Sequence, residues 1–169
     1  MHSAAVSDAL VPEASIDPVV ALHRDEGEHV WFLNQLVSIK LRGPSAPYGV
    51  LETLLAAGEG TPFHRHDAED ETFYVLEGEV TLFFEHGKVV RGRPGSFVHV
   101  PRGVAHGFRA ETPLRLLALS APRGFVEFTR EYGVRVPRPE LPPIAAPDLA
   151  RLDAISKKYE IEVLGPLPG

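Results

Sequence analysis

At 169 residues with 44% hydrophobic content, the chain can bury one full core, and two independent domains are not expected. A formal net charge of -6 provides no basic surface for phosphates, so no nucleic-acid partner is expected; a small-molecule ligand suits the composition better. Cysteine is absent, which excludes disulfides, thiolate ligands and a cysteine nucleophile, so any metal must sit on nitrogen and oxygen.

Residues 1–28 are polar, Ala-rich and interrupted by Pro12 and Pro18, and read as an arm lacking a secretory signal. No stretch is long and apolar enough to span a membrane, so no membrane partner and a cytoplasmic location are the expectations. Val30 to Asn34 and Leu36 to Leu41 are rich in β-branched and aromatic residues and predict two strands, broken by Gly43, Pro44 and Pro47. From Tyr48 to Ser120, short apolar runs alternate with Gly or Pro: VLETLLAA, ETFYVLEG, EVTLFFE, KVVR, SFVHVP, HGFR and LRLLALS. Strands this short and this closely spaced predict an all-β barrel or sandwich. His86-Gly87 suits a two-residue hairpin turn. Phe125, Phe128 and Tyr132 recur at helical spacing, with Gly133 where a helix C-cap falls. Their stripe packs on the barrel or, alternatively, lines a pocket. VPRPELPPIAAP should cross the surface in extended form before Leu149, Leu152 and Ile155 start a second short helix. The organisation expected is an arm (1–28), a β-barrel with a covering helix (29–133) and a Pro-rich extension with a short helix (134–169).

The segment GEGTPFHRHDAEDETFYVLEG carries His64, His66 and Glu71, and GSFVHVPRGVAH ends in His106. On extended backbone the two-residue period puts His64 and His66 on one face with Arg65 on the other. Glu71, Phe73 and Val75 share a face, so the carboxylate would point inward among apolar neighbours, where it needs a charge partner. Alone, an H-x-H is common on solvated loops, and Glu71, in an acidic run that starts at Asp67, could face water. The joint pattern, with Gly58, Gly78, Gly95, Pro101 and Gly103 at fixed offsets, favours one metal ion on all four groups.

These residues resemble the cupin superfamily, whose motifs are G-x5-H-x-H-x4-E-x6-G and G-x5-P-x-G-x2-H-x3-N. The first is complete from Gly58 to Gly78; the second matches at Gly95, Pro101, Gly103 and His106, with Ala110 in place of the final Asn. The resemblance implies a jelly-roll barrel, the double-stranded β-helix, and the ligand set His64, His66, Glu71 and His106. DETFYVLEG and APRGFVEF are most similar to single-domain bacterial proteins related to quercetin dioxygenase. That likeness implies a dioxygenase acting, with dioxygen, on an enolisable molecule such as a flavonol.

Three neutral imidazoles and one carboxylate leave a divalent ion one net positive charge and, in octahedral geometry, two open positions. Nickel, iron, manganese, cobalt, copper and zinc all accept these donors. Glu71 would take the substrate proton, and Phe73 and Phe108, sharing parity with Glu71 and His106, would wall the pocket or simply fill the core. His99 is a candidate outer partner of the site, with a surface position as the alternative; His2, His23, His29 and His86 have no recruiting spacing, and Trp31 and Tyr48 read as packing residues. Two other function classes stand beside the dioxygenase: a non-redox isomerase or polyketide-type cyclase with the metal as Lewis acid, and a non-catalytic sensor. A homodimer is a further expectation, with the N-terminal strands offering a sheet edge.

Overall fold

The structure is a computed structural model and describes residues 19–42 and 46–168. Most of the expected arm (1–18) and the breakers Gly43 and Pro44 lie outside the described residues.

In chain order the elements are β1 (Glu28–Phe32), β2 (Gln35–Leu41), β3 (Gly49–Leu55), β4 (Phe63–His66), β5 (Asp70–Glu77), β6 (Val80–Phe84), β7 (Val89–Gly92), β8 (Phe97–Val100), β9 (His106–Ala110), β10 (Leu114–Ala121), α1 (Gly124–Tyr132), β11 (Val134–Val136), α2 (Leu149–Lys158) and β12 (Ile161–Gly165). The strands form two antiparallel sheets, one in the order β11-β1-β2-β3-β10-β5-β8 and the other β12-β4-β9-β6-β7. This mostly-β architecture is the expected jelly roll. Alternate residues of each strand point between the sheets: Leu51 and Leu55 from β3, Phe73 and Val75 from β5, and Leu116 and Ala118 from β10 share one continuous core.

Local chemistry explains where the strands stop. β1 ends at Phe32 rather than Asn34, because Leu33 turns to φ 55 and Phe32 pairs directly with Gln35. The side chain of Asn34 then ties that turn down, donating to Glu59 and accepting from the Ala145 N–H. His86 and Gly87 sit at φ 58 and 72, and Glu85 O accepts from the Lys88 N–H, as a two-residue hairpin turn requires. Gly78, at φ 82, closes the β5–β6 turn where a Cβ would lie 2.2 Å from Pro113 O.

The helix α1 covers one end of the barrel through Val126, Phe128, Thr129 and Tyr132, and Phe32 meets Phe125, Phe128 and Tyr132 edge-on. Gly133 is the C-cap, but its φ of -75 is open to any residue. Close approach demands glycine there, since a Cβ would fall 2.2 Å from Val30 Cγ1. The edge that the N-terminal strands were expected to offer is closed by β11, which pairs with β1. Tyr48 is 42% exposed and lies outside the core, whereas Trp31 is half-buried and donates to Glu140 O.

Beyond the extended Pro-rich stretch, the chain returns to the barrel. α2 begins at the predicted Leu149 and is capped by Asp148, whose carboxylate accepts from the Arg151 N–H. β12, which no sequence signal suggested, then pairs with β4 and places Val163 beside His64 and Ile161 beside His66. Arg65 on the outward face of β4 bonds Glu162 of β12 and Asp67, so the strand holding two of the histidines is fastened on its solvent side.

Candidate metal centre

His64, His66 and His106 come from the five-stranded sheet and Glu71 from the seven-stranded one, and they meet in the barrel interior. Alternation on β4 buries His64 and His66 and leaves Arg65 outside, and His64 stands opposite His106 in the β4–β9 register. All four are buried, with one potential ligand atom each inside a group no wider than 4.8 Å.

Hydrogen bonds fix which ring atoms face inward. His64 Nδ1–H donates to Pro62 O at 2.8 Å and His106 Nδ1–H to Val104 O at 3.0 Å; a carbonyl can only accept, so the tautomer is determined. His66 Nδ1–H donates in the same way to the Glu69 carboxylate at 3.1 Å. Each neutral ring therefore turns the lone pair of Nε2 toward the centre. There His64 Nε2 and His66 Nε2 lie 3.1 Å apart, and Glu71 Oε2 lies 3.0 Å from His106 Nε2 and 3.5 Å from His66 Nε2. Acceptors facing acceptors in a dry interior repel unless a cation lies between them. The donor set thus fits a divalent transition metal, with Nδ1 partners of the kind that orient metal-bound histidine.

The protonation preferences differ from group to group. Burial, followed by the charges of His106 and His66, pushes His64 down to about 3. Burial also works against protonation of His66, but the hydrogen bond to Glu69 and the charge of Glu71 outweigh it and raise its pKa. For Glu71, burial favours the neutral acid, yet the close approach of His106 and the pull of the surrounding imidazoles hold it below the usual carboxylate range.

Glu69 was not singled out from the sequence, where it reads as part of an acidic turn. It is only 2% exposed. One oxygen receives His66 Nδ1–H and the other the Phe125 N–H in the first turn of α1, where the helix dipole favours negative charge. The covering helix and a histidine of the cluster thus share one carboxylate, and Phe125 lies edge-on to the His66 ring with centroids 5.2 Å apart.

An interior cavity adjoins the cluster. His64 and Glu71 contribute to its wall, Phe73, Phe108 and Phe125 to its apolar lining, and Gln35 and Thr53 come from β2 and β3. Phe73 and Phe108 meet edge-on at 5.7 Å. A second, mainly apolar hollow shares Phe32, Thr61, His64 and Phe125 and is completed by Leu152 of α2 and by Ile161 and Val163 of β12. Gln35 is the anomaly. It is 3% exposed, its Oε1 accepts from the Thr53 hydroxyl at 3.2 Å, and its Nε2 has no partner among the described residues. An unpaired buried donor costs about 1–3 kcal/mol. His99, in contrast, is exposed, paired with Thr72 and away from the cluster; His29 is buried but bonded to Ser38.

Fold and site together define a two-sheet β-barrel with a buried cluster of three imidazoles and one carboxylate. Residues 51–120 match the cupin domain family, and this segment is similar to cupin domains. Quercetin 2,3-dioxygenase of Bacillus subtilis is 34% identical over 71 residues, 41% of this chain and 21% of that enzyme, so the likeness spans about a fifth of the relative. Among solved structures, KdgF from Halomonas sp. aligns with 53% of this chain and 82% of its own at 23% identity and a TM-score of 0.50. An RmlC-like cupin from Shewanella frigidimarina aligns with 56% and 84% at 20% identity and the same TM-score. Both structural likenesses concern the fold. No described helix is long and apolar enough to cross a membrane.

Proposed function

We propose that this cupin holds one divalent transition metal on His64, His66, Glu71 and His106 and acts as a dioxygenase on an enolisable small molecule such as a flavonol. The observation that carries the metal reading is the inward convergence of four acceptor groups whose tautomers are fixed from behind. The limited likeness to quercetin 2,3-dioxygenase supports the choice of reaction. When bound, such an ion would supply Lewis acidity toward an enolic oxygen and, if redox-active, an electron route to dioxygen. The protein supplies the rest. Glu71, held below the usual carboxylate range beside His106, is the group that would accept the enolic proton of a substrate reaching the cluster. Phe73, Phe108 and Phe125 offer an apolar lining that strengthens every charge interaction within and keeps bulk water from a carbanion-like substrate.

Elemental analysis of anaerobically purified protein, followed by an oxygen-electrode screen of flavonols and smaller enolisable compounds, tests the reading. A redox-active metal with substrate-dependent oxygen uptake, abolished in Glu71→Ala, is expected. Turnover with zinc in the absence of oxygen would replace the dioxygenase by a non-redox isomerase or cyclase, and tight binding without turnover would make the protein a sensor.

A further inference from the structure

We propose that Gln35 and Thr53 form a polar subsite that receives a carbonyl or hydroxyl oxygen of the molecule bound at the metal centre. The inference rests on the metal-centred reading above and narrows its substrate class to molecules that carry, besides the enolisable pair of oxygens, a further oxygen able to accept a hydrogen bond.

Three observations meet at Gln35. It is almost fully buried, it lines the same cavity as His64 and Glu71, and its amide nitrogen has no partner among the described residues. Its neighbours along that cavity, Val37, Leu51 and Leu116, are apolar, so a leucine at this position together with a valine at 53 would fill the space and strand no donor. Turning the amide over would not resolve the deficit, because Thr53 offers a single hydroxyl and the carbonyl oxygen would be left over in place of the nitrogen. The β2–β3 register sets Val37 opposite Thr53, which places Gln35 on the diagonal and lets the hydroxyl hold one end of the amide while the other end stays available. Two other buried hydroxyls, Ser120 and Thr129, also lack partners among the described residues, but neither lines the cavity. A buried polar group left unpaired beside a space of about 20 Å³, room for a single oxygen-sized group, discriminates strongly, because an analogue without the matching oxygen leaves the deficit in place.

The test uses the zinc-loaded protein and calorimetric titration with 3-hydroxy-4-pyranones, which chelate the metal. Each probe carries a hydroxyl on a short carbon arm of graded length and is compared with its deoxy counterpart. Wild type should bind at least one hydroxylated probe about tenfold or more tightly than the matching deoxy compound. The paired variant Gln35→Leu/Thr53→Val, which strands neither partner, should bind both members of that pair equally and with the deoxy affinity of wild type. In metal-free form the paired variant should melt at the wild-type temperature or above it. No preference in wild type, a preference that persists in the variant, or a clearly lower melting temperature would overturn the subsite while chelator binding leaves the metal reading standing. Failure of every chelator to bind either protein would overturn the metal reading and the subsite with it.

Discussion

Two buried charged clusters lie within one barrel, and they are built on opposite rules. On the outer face of the seven-stranded sheet, Arg115 and Glu52 are 6% and 7% exposed and complementary: the guanidinium donates from Nε and Nη2 to one carboxylate oxygen, and Lys40 approaches the other. In the interior, His64, His66, His106 and Glu71 are as deeply buried but oppose acceptor to acceptor. The first cluster is electrostatically complete; the second has the donor set of a cation site. Burial of charge alone therefore says little about function, and the balance of donors and acceptors says a great deal. His29 makes the point in miniature, being buried like the site histidines but satisfied by Ser38.

The largest expected effect breaks the complete cluster. Arg115→Met strands a buried carboxylate and should lower stability by about 3–5 kcal/mol, measured by urea unfolding, with metal stoichiometry unchanged. Joint replacement as Arg115→Met/Glu52→Leu should recover most of that loss, whereas no apolar pair at the interior cluster should restore metal binding. Next in size, Glu69→Gln removes the charged partner of His66 Nδ1 and should weaken metal affinity by about 10–100-fold in a chelator competition.

A third effect concerns pH in the metal-free protein. An unfolded chain protonates His64 near the ordinary imidazole value of 6.5, whereas burial holds the folded one down to about 3. Below 6.5 the unfolded state therefore binds more protons, and this group alone lowers stability by about 1.4 kcal/mol per pH unit on acidification. Glu71, also depressed, adds a loss of the same sign at lower pH; His66, raised, acts in reverse, contributing stability below its unfolded value that disappears as pH rises through the folded one. Unfolding of metal-free His64→Asn should show a shallower pH slope than wild type between about pH 6 and 4.

The contrast also explains what could be read from the sequence. The placing of His64 and His66 on one face follows from strand alternation, and the β-strands announced themselves as short apolar runs between Gly and Pro. The His86-Gly87 turn was legible because glycine and its neighbour accept positive φ. Glu69 was not legible: its burial depends on α1, whose Phe125 lies 56 positions away. Gln35 looks like any polar strand residue until the cavity around it is known. β12 escaped notice because EIEVLG follows a helix and Pro-rich chain, and only its pairing with β4 makes it a strand of the site.

The central claim is that the interior cluster is a cation site because its hydrogen-bond partners leave it nothing but acceptors. Diffraction from crystals of the cobalt-loaded protein, recorded on both sides of the cobalt absorption edge, tests this directly. One anomalous peak is expected about 2.0–2.2 Å from Nε2 of His64, His66 and His106 and from the carboxylate of Glu71. A cluster without a peak, or a peak elsewhere with these rings turned away, would contradict it.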